Sequence, residues 1–268
     1  MPASNPTESS AVRVYGKLFL SEFIGTALLV AAGLSIVILD FGTGSPVAAL
    51  LPDAGVRRLI TGFLFGAIGG SIAVSPVGKV SGAHINPVVT LAFWIKRKMT
   101  RGHAAGYFLA QLGGGLLGAL PLLAWGRMGT SVDFGATFPG SGYTAWQAAL
   151  GEIVTTFCLI AGIFLFIGHR RLRPYTPLLF PFLYALMVYI EAPLSGTSTN
   201  PARTLGPSVI SGDWHGWWVY WIGPLLGTLL ALGVHRFPPM KRFEIETAKL
   251  YHFEHDPHGV FGLRSRNY

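Results

Sequence analysis

Ser81-Gly82-Ala83-His84-Ile85-Asn86-Pro87-Val88 and Thr197-Ser198-Thr199-Asn200-Pro201-Ala202-Arg203 decide the fold of this chain. Each stands after two strongly apolar segments and before a third, so the two occupy matching places in its halves. Asn is a favoured helix N-cap and Pro a favoured first helical residue, so each Asn-Pro marks a helix start. The apolar stretches that follow, Pro87–Ile95 and Pro201–Ser211, are on the order of 14–16 Å long, about half the ~30 Å hydrocarbon core of a bilayer. Neither can cross alone. Two meeting head to head can, with both helix N-termini at a common midplane.

Of 268 residues, 51% are hydrophobic and only 12% charged, and the mean hydropathy is +0.49. A soluble domain carries about 25% charged residues, so the composition is that of an integral membrane protein. The net charge of +8 does not indicate a nucleic-acid partner, because the Lys and Arg cluster between apolar runs. Arg57, Arg58, Arg127 and Arg203 fall on one side of those runs and the remaining Lys and Arg on the other, a bias that puts both termini in the cytoplasm. The single Cys158 excludes an internal disulfide. Residues 1–10 lack the layout of a cleavable signal, so the first apolar run is expected to be retained.

Transmembrane helices need about 20 predominantly apolar residues. Six segments qualify: roughly 18–39, 59–78, 102–125, 145–168, 177–194 and 217–235. With the two half-spans they predict an all-α membrane protein of six transmembrane helices plus two re-entrant half-helices. The first three segments repeat as the last three. Glu22-x-x-Gly25-Thr26 matches Glu152-x-x-Thr155-Thr156, and Tyr107-Phe108-Leu109-Ala110-Gln111 through Gly114 matches Tyr220-Trp221-Ile222-Gly223-Pro224 through Gly227. Three spans per unit is odd, so the copies form an inverted 3+3 repeat, which places its working site at the midplane.

Each half-helix start carries unsatisfied N–H groups and roughly half an elementary positive charge. Two such ends facing each other repel cations, hydronium included, and the amides of Asn86 and Asn200 can donate to a passing oxygen. The irregular run-ins leave the carbonyls of Gly82, Ala83, His84, Gly196, Ser198 and Thr199 free, and such backbone is tolerated at membrane depth only inside protein or along a wet cavity. Central donors flanked by acceptors make a path for a small neutral molecule. Glu22 and Glu152 are read as the only carboxylates well inside the spans, each costing about 2.5–3.5 kcal/mol at a helix centre. Either they relay protons, or they accept the backbone N–H groups of the re-entrant loops. The His84 ring is read as packed. His252, His255 and His258, among charged, Pro and Gly neighbours, are read as a solvated tail. No nucleophile–base set or metal-ligand cluster lies in the spans, so neither enzyme, cofactor nor metal site is expected.

Ser81-Gly82-x-His84-x-Asn86-Pro87 and Asn200-Pro201-Ala202-Arg203 resemble the two signature loops of the aquaporin, or major intrinsic protein, family. The Glu pair, Ala110-Gln111 and Gly223-Pro224 also fall in place, and the resemblance covers about residues 15–237. It implies a pore constriction built by Asn86, Pro87, Val88, Asn200, Pro201 and Ala202, with Glu22 and Glu152 supporting the loops. It also implies an outer selectivity filter. Arg203 would donate to permeants there and add a positive barrier, beside Thr197 and, on the fifth span, Val188. The fourth filter residue lies twenty before Asn86. A gap-free count gives Gly66, and a one-residue register change gives Phe65. Gly66 has a second reading, because Gly62, Gly66 and Gly70 recur at the four-residue spacing that lets membrane helices approach closely. The resemblance further implies a homotetramer with one pore per subunit in the lipid bilayer of the plasma or inner membrane. The layout is a tail at 1–16, an aquaporin-like channel domain at 17–237 (repeats about 17–125 and 145–237), and a cytoplasmic tail at 238–268.

A filter of Gly66, Val188, Thr197 and Arg203 is wide and half apolar, which points to solutes such as glycerol, urea or neutral metalloid acids. Thr204 and Ser208, where glycerol facilitators carry Asp and a basic residue, point to water instead, as does Tyr220-Trp221. Val88 adds bulk where Ala is usual. The reading is a passive channel for water and small neutral solutes that excludes protons and ions. The alternative is a facilitator mainly for larger neutral solutes with low water permeability. More distant is a proton-coupled transporter, which needs Glu22 or Glu152 exposed to permeant. An adhesion protein with a vestigial pore fits poorly with intact Asn86, Asn200 and Arg203.

Overall fold

The structure, a computed structural model, describes residues 8–238 and 240–261. Among them there are α-helices and short 3-10 turns but no β-strand. In chain order the helices are α1 (Glu8–Phe41), α2 (Pro46–Leu50), α3 (Ala54–Val74), α4 (Pro76–Ser81), α5 (Pro87–Ile95), α6 (Arg101–Ala119), α7 (Gly126–Thr130), α8 (Ala145–Gly168), α9 (Thr176–Ser195), α10 (Pro201–Ser211) and α11 (Val219–Val234). Five are long and apolar enough to cross a membrane, and α11, at 16 residues, is a shorter apolar helix. At 1.5 Å per residue α11 covers about 24 Å. Turns at residues 215–218 lead into it, with exposed Trp214 and Trp217 suited to a membrane interface. Six spans and two half-helices, α5 and α10, give the inverted 3+3 arrangement.

Departures from the predicted spans have local causes. The second span stops at Val74 because Pro76 holds Ser75 extended, and the Ser75 hydroxyl then accepts from Gly78 N to cap α4. The third passes into a 3-10 turn at Leu120–Trp125, where Pro121 cannot donate a helical hydrogen bond. The first begins at Glu8, inside what reads as an N-terminal tail.

The burial pattern inverts that of a soluble protein. Leu20, Leu109, Phe182 and Ile190 are exposed, whereas Glu22, Gln111, Glu152 and Asn200 are buried. Glycines let the helices approach to backbone contact. A Cβ on Gly114 or Gly118 of α6 would collide with the α1 backbone at Phe23 or Ala27, and one on Gly227 of α11 with the α8 backbone at Ile153. Gly62, Gly66 and Gly70 bring α3 onto α9 in the same way.

The C-terminal segment packs on the channel just before the three histidines read as a solvated tail, of which His258 is exposed. Ile245, Thr247, Ala248, Lys249 and Leu250 are all buried. His252 Nε2 lies 2.8 Å from the Val74 carbonyl oxygen, and His235 Nε2 lies 3.0 Å from that of Phe243. The packing of residues 245–250 left no mark in composition, because its partners are distant backbone groups that no local pattern reveals.

Candidate functional site

The two re-entrant loops have the same backbone course. Gly82 and Gly196 end their helices in the left-handed region at φ +89° and +84°, Ala83 and Thr197 follow at +58° and +52°, and Ile85 and Thr199 at +43° and +52°. Left-handed non-glycine residues are costly and persist only where surroundings fix them. Here the surroundings are carboxylates. Glu22 accepts from His84 N at 3.0 Å, Ile85 N at 2.7 Å and Gln111 Nε2 at 2.7 Å. Glu152 accepts from Ser198 N at 2.6 Å, Thr199 N at 2.7 Å and Ser195 Oγ at 2.8 Å. Tyr107 and Tyr220 donate their hydroxyls to the carbonyls of Ser81 and Ser195 at 2.7 and 2.8 Å. The bonds to each carboxylate come from loop N–H groups and neighbouring side chains, and both carboxylates are fully buried.

The loops meet through the two asparagines. Asn86 Oδ1 accepts from Val88 N at 3.0 Å, and Asn200 Oδ1 from Ala202 N at 3.0 Å and Arg203 N at 3.3 Å. Those caps fix which way each amide faces. Asn86 Nδ2 then donates to the Thr199 carbonyl and Asn200 Nδ2 to the Ile85 carbonyl, both at 2.9 Å. Of the six carbonyls singled out in the sequence, that of Thr199 is therefore engaged. Ser198's accepts from the Thr199 hydroxyl at 2.8 Å, and Gly82's from Leu250 N at 3.0 Å. The His84 ring is packed: Nδ1 lies 3.1 Å from Thr90 Oγ1 and Nε2 lies 3.0 Å from the Ala248 carbonyl.

Arg203 is buried, with Nη1 donating to the Gly135 carbonyl at 2.8 Å. Thr197 donates its hydroxyl to Glu191, which also accepts from Ser195. Val188 packs on the hydrophobic core. A Cβ on Gly66 would come closer than 3.0 Å to Phe180 and Pro181 backbone atoms, so the face where its side chain would project is filled by α9. A cavity of about 40 Å³ lies beside the asparagines, with Phe65, the Gly66 backbone, His84, Tyr184 and Leu250 on its wall. The Phe65 and Tyr184 rings are 5.6 Å apart, and Tyr184 Oη lies 2.7 Å from Thr199 Oγ1.

Residues 8–235 match the sequence profile of the Major intrinsic protein family. The chain belongs to that family. It is 35% identical over 218 residues to a probable aquaporin TIP2-2 of Arabidopsis thaliana, covering 80% of this chain and 84% of that one. It is 33% identical over 246 residues to aquaporin AqpM of Methanothermobacter marburgensis, covering 82% and 96%. The fold matches the X-ray structure of the aquaglyceroporin from Plasmodium falciparum with a TM-score of 0.67 at 20% identity, covering 82% of this chain and 95% of that one. As a major intrinsic protein, the chain is an integral membrane protein of a family of passive channels for water and small solutes, and not an enzyme.

Three features of this major intrinsic protein escape sequence reasoning. Glu191 is a further buried carboxylate, beyond the two read as lying well inside the spans. Its signal was present, since it stands inside 177–194, but it lies near the end of that span and has no counterpart in the other repeat. Tyr184 stands one turn before Val188 on α9, with nothing in the sequence to single it out. Leu250 reaches the site from the chain's far end.

Proposed function

We propose that the chain conducts water along a path past Asn86 and Asn200, that small neutral solutes pass more slowly, and that protons and ions are excluded. The observation that carries this reading is the reciprocal tie between the loops. Each asparagine uses its oxygen as a helix cap and one N–H on the opposite loop. An amide nitrogen has two N–H donors, so one per asparagine remains for a permeant oxygen. A water accepting both is held with its own hydrogens pointing away, and the two half-helix N-termini add positive potential against cations.

The Phe65 and Tyr184 rings support a narrow lumen, and with the Gly66 face closed by α9 the wide-filter reading loses its main opening. Val188, Thr197 and Arg203 remain as the filter in this reading, with Arg203 as donor and charge barrier. The functional unit is a homotetramer in the cell membrane with both termini cytoplasmic.

Stopped-flow light scattering on proteoliposomes tests it. Osmotic shrinkage should be well above that of protein-free vesicles, with glycerol and urea entry much slower. Glycerol entry as fast as water would replace this reading with that of a solute facilitator. Flux that follows an imposed pH gradient would replace it with coupled transport. Mercurials should inhibit weakly, because Thr197 carries no thiol and Cys158, the only cysteine, is partly buried in α8. Strong block abolished by Cys158→Ser would contradict that.

A further inference from the structure

We propose that residues 245–250 are a plug, in which the chain's own C-terminal segment seats Leu250 in the inner mouth of the pore and closes it until the segment withdraws. The proposal rests on the channel reading above. Leu250 shares the cavity wall with His84, Ile85, Asn86 and Asn200. The segment binds the first signature loop directly. Leu250 N donates to the Gly82 carbonyl at 3.0 Å, and the Ala248 carbonyl lies 3.0 Å from His84 Nε2. Contact is close enough that a Cβ on Gly82 would come within 3.0 Å of the Ala248 carbonyl oxygen and the Lys249 side chain.

An apolar side chain at this point blocks in two ways. It fills space, leaving a cavity of about 40 Å³. That is room for only a few waters. It also offers no hydrogen bond where a permeating water needs one, the condition under which hydrophobic constrictions close by dewetting.

The seat is specific and reversible in its chemistry. Lys249 is fully buried, with Nζ donating to the Lys79 carbonyl at 2.8 Å and lying 4.6 Å from the centre of the Phe261 ring. Burial pulls its ammonium down to about 8, with Asp256 nearby acting in the opposite direction. A charge held out of water at this cost returns readily to it, and the carbonyls of Lys79 and Gly82 can take water in exchange. The segment also lies beyond residues 8–235, the part that matches the family profile.

The test uses the full chain in proteoliposomes, comparing wild type with Lys249→Glu, which sets a carboxylate against the Lys79 carbonyl, and with Leu250→Ser. Hydrogen exchange of the peptide spanning 245–251 reads whether the segment is seated, and water flux reads its consequence. Wild type should protect the Leu250 amide. Both variants should lose that protection and conduct about fivefold faster, the gain expected when a conducting state populated about one-fifth of the time becomes dominant. Lost protection with unchanged flux would overturn the plug and leave the channel reading standing. Free exchange of this peptide in the wild type would overturn the plug as well. Absence of water flux in wild type and in both variants would overturn the channel reading and the plug with it.

Discussion

Glu152→Gln is expected to remove most water flux and to lower thermal stability in detergent, and Glu22→Gln to do the same through the other loop. Glu152 accepts backbone N–H groups on both oxygens, from Ser198 on Oε1 and from Thr199 on Oε2. Glutamine presents only one accepting oxygen. Whichever way it turns, its NH2 group faces one of those backbone donors, and a buried donor without a partner costs about 1–3 kcal/mol. Loss of the charge-assisted character of the remaining bonds brings the expected total to about 3–5 kcal/mol, the range for breaking a buried charged arrangement. Glu22 has the same geometry, with His84 N on Oε1 and Ile85 N on Oε2. A flip of Gln111, whose Oε1 has no hydrogen-bond partner, would satisfy Gln111 and not the loop. Thermal unfolding separates this role from proton relay. A relay variant would keep its melting temperature and lose only flux driven by a pH gradient.

The parts of this molecule that were legible in the sequence are those governed by local rules. Asn-Pro fixes a helix start through capping and a preset φ, and α5 and α10 occupy the ranges read from those dipeptides. The predicted segment at 145–168 coincides with α8, which opens with a capping box at Thr144 and Gln147. Glu22 and Glu152 were legible as a choice between two roles, because a carboxylate in an apolar span must find donors and an inverted repeat supplies two equivalent loops. The remainder depends on contacts far apart in sequence. Arg203 finds Gly135 across 68 positions, and Leu250 finds Gly82 across 168. Periodicity and composition carry no record of such pairs. Gly66 lay between these cases. Its four-residue spacing with Gly62 and Gly70 pointed to packing while the count from Asn86 pointed to a filter, and only the position of the α9 backbone separates the two.

That position gives the second large effect. Gly66→Ala is expected to destabilise the protein by about 3 kcal/mol, the upper end of the usual cost of overpacking, whereas Gly69→Ala should leave it unchanged or slightly more stable. At Gly66 the added methyl would come closer than 3.0 Å to the Phe180 carbonyl carbon and the Pro181 Cα. These are backbone atoms of a long helix and cannot turn aside as the end of a side chain can, so α3 and α9 must separate. Gly62 and Gly70 meet the same helix at Tyr184 and Pro177, so opening one point loosens the whole seam. Pro181 has no N–H to offer the Pro177 carbonyl, and Gly70 packs on that oxygen. At Gly69 the nearest atom to an added methyl is Leu29 Cδ1 at 3.9 Å, an ordinary contact. Replacing Gly by Ala inside a helix gains up to about 1 kcal/mol in propensity. The two neighbours should therefore shift unfolding in detergent in opposite directions. If Gly66 instead faced an open filter, its alanine would be tolerated in the fold and would show itself as slower glycerol entry, so one pair of substitutions decides between seam and filter.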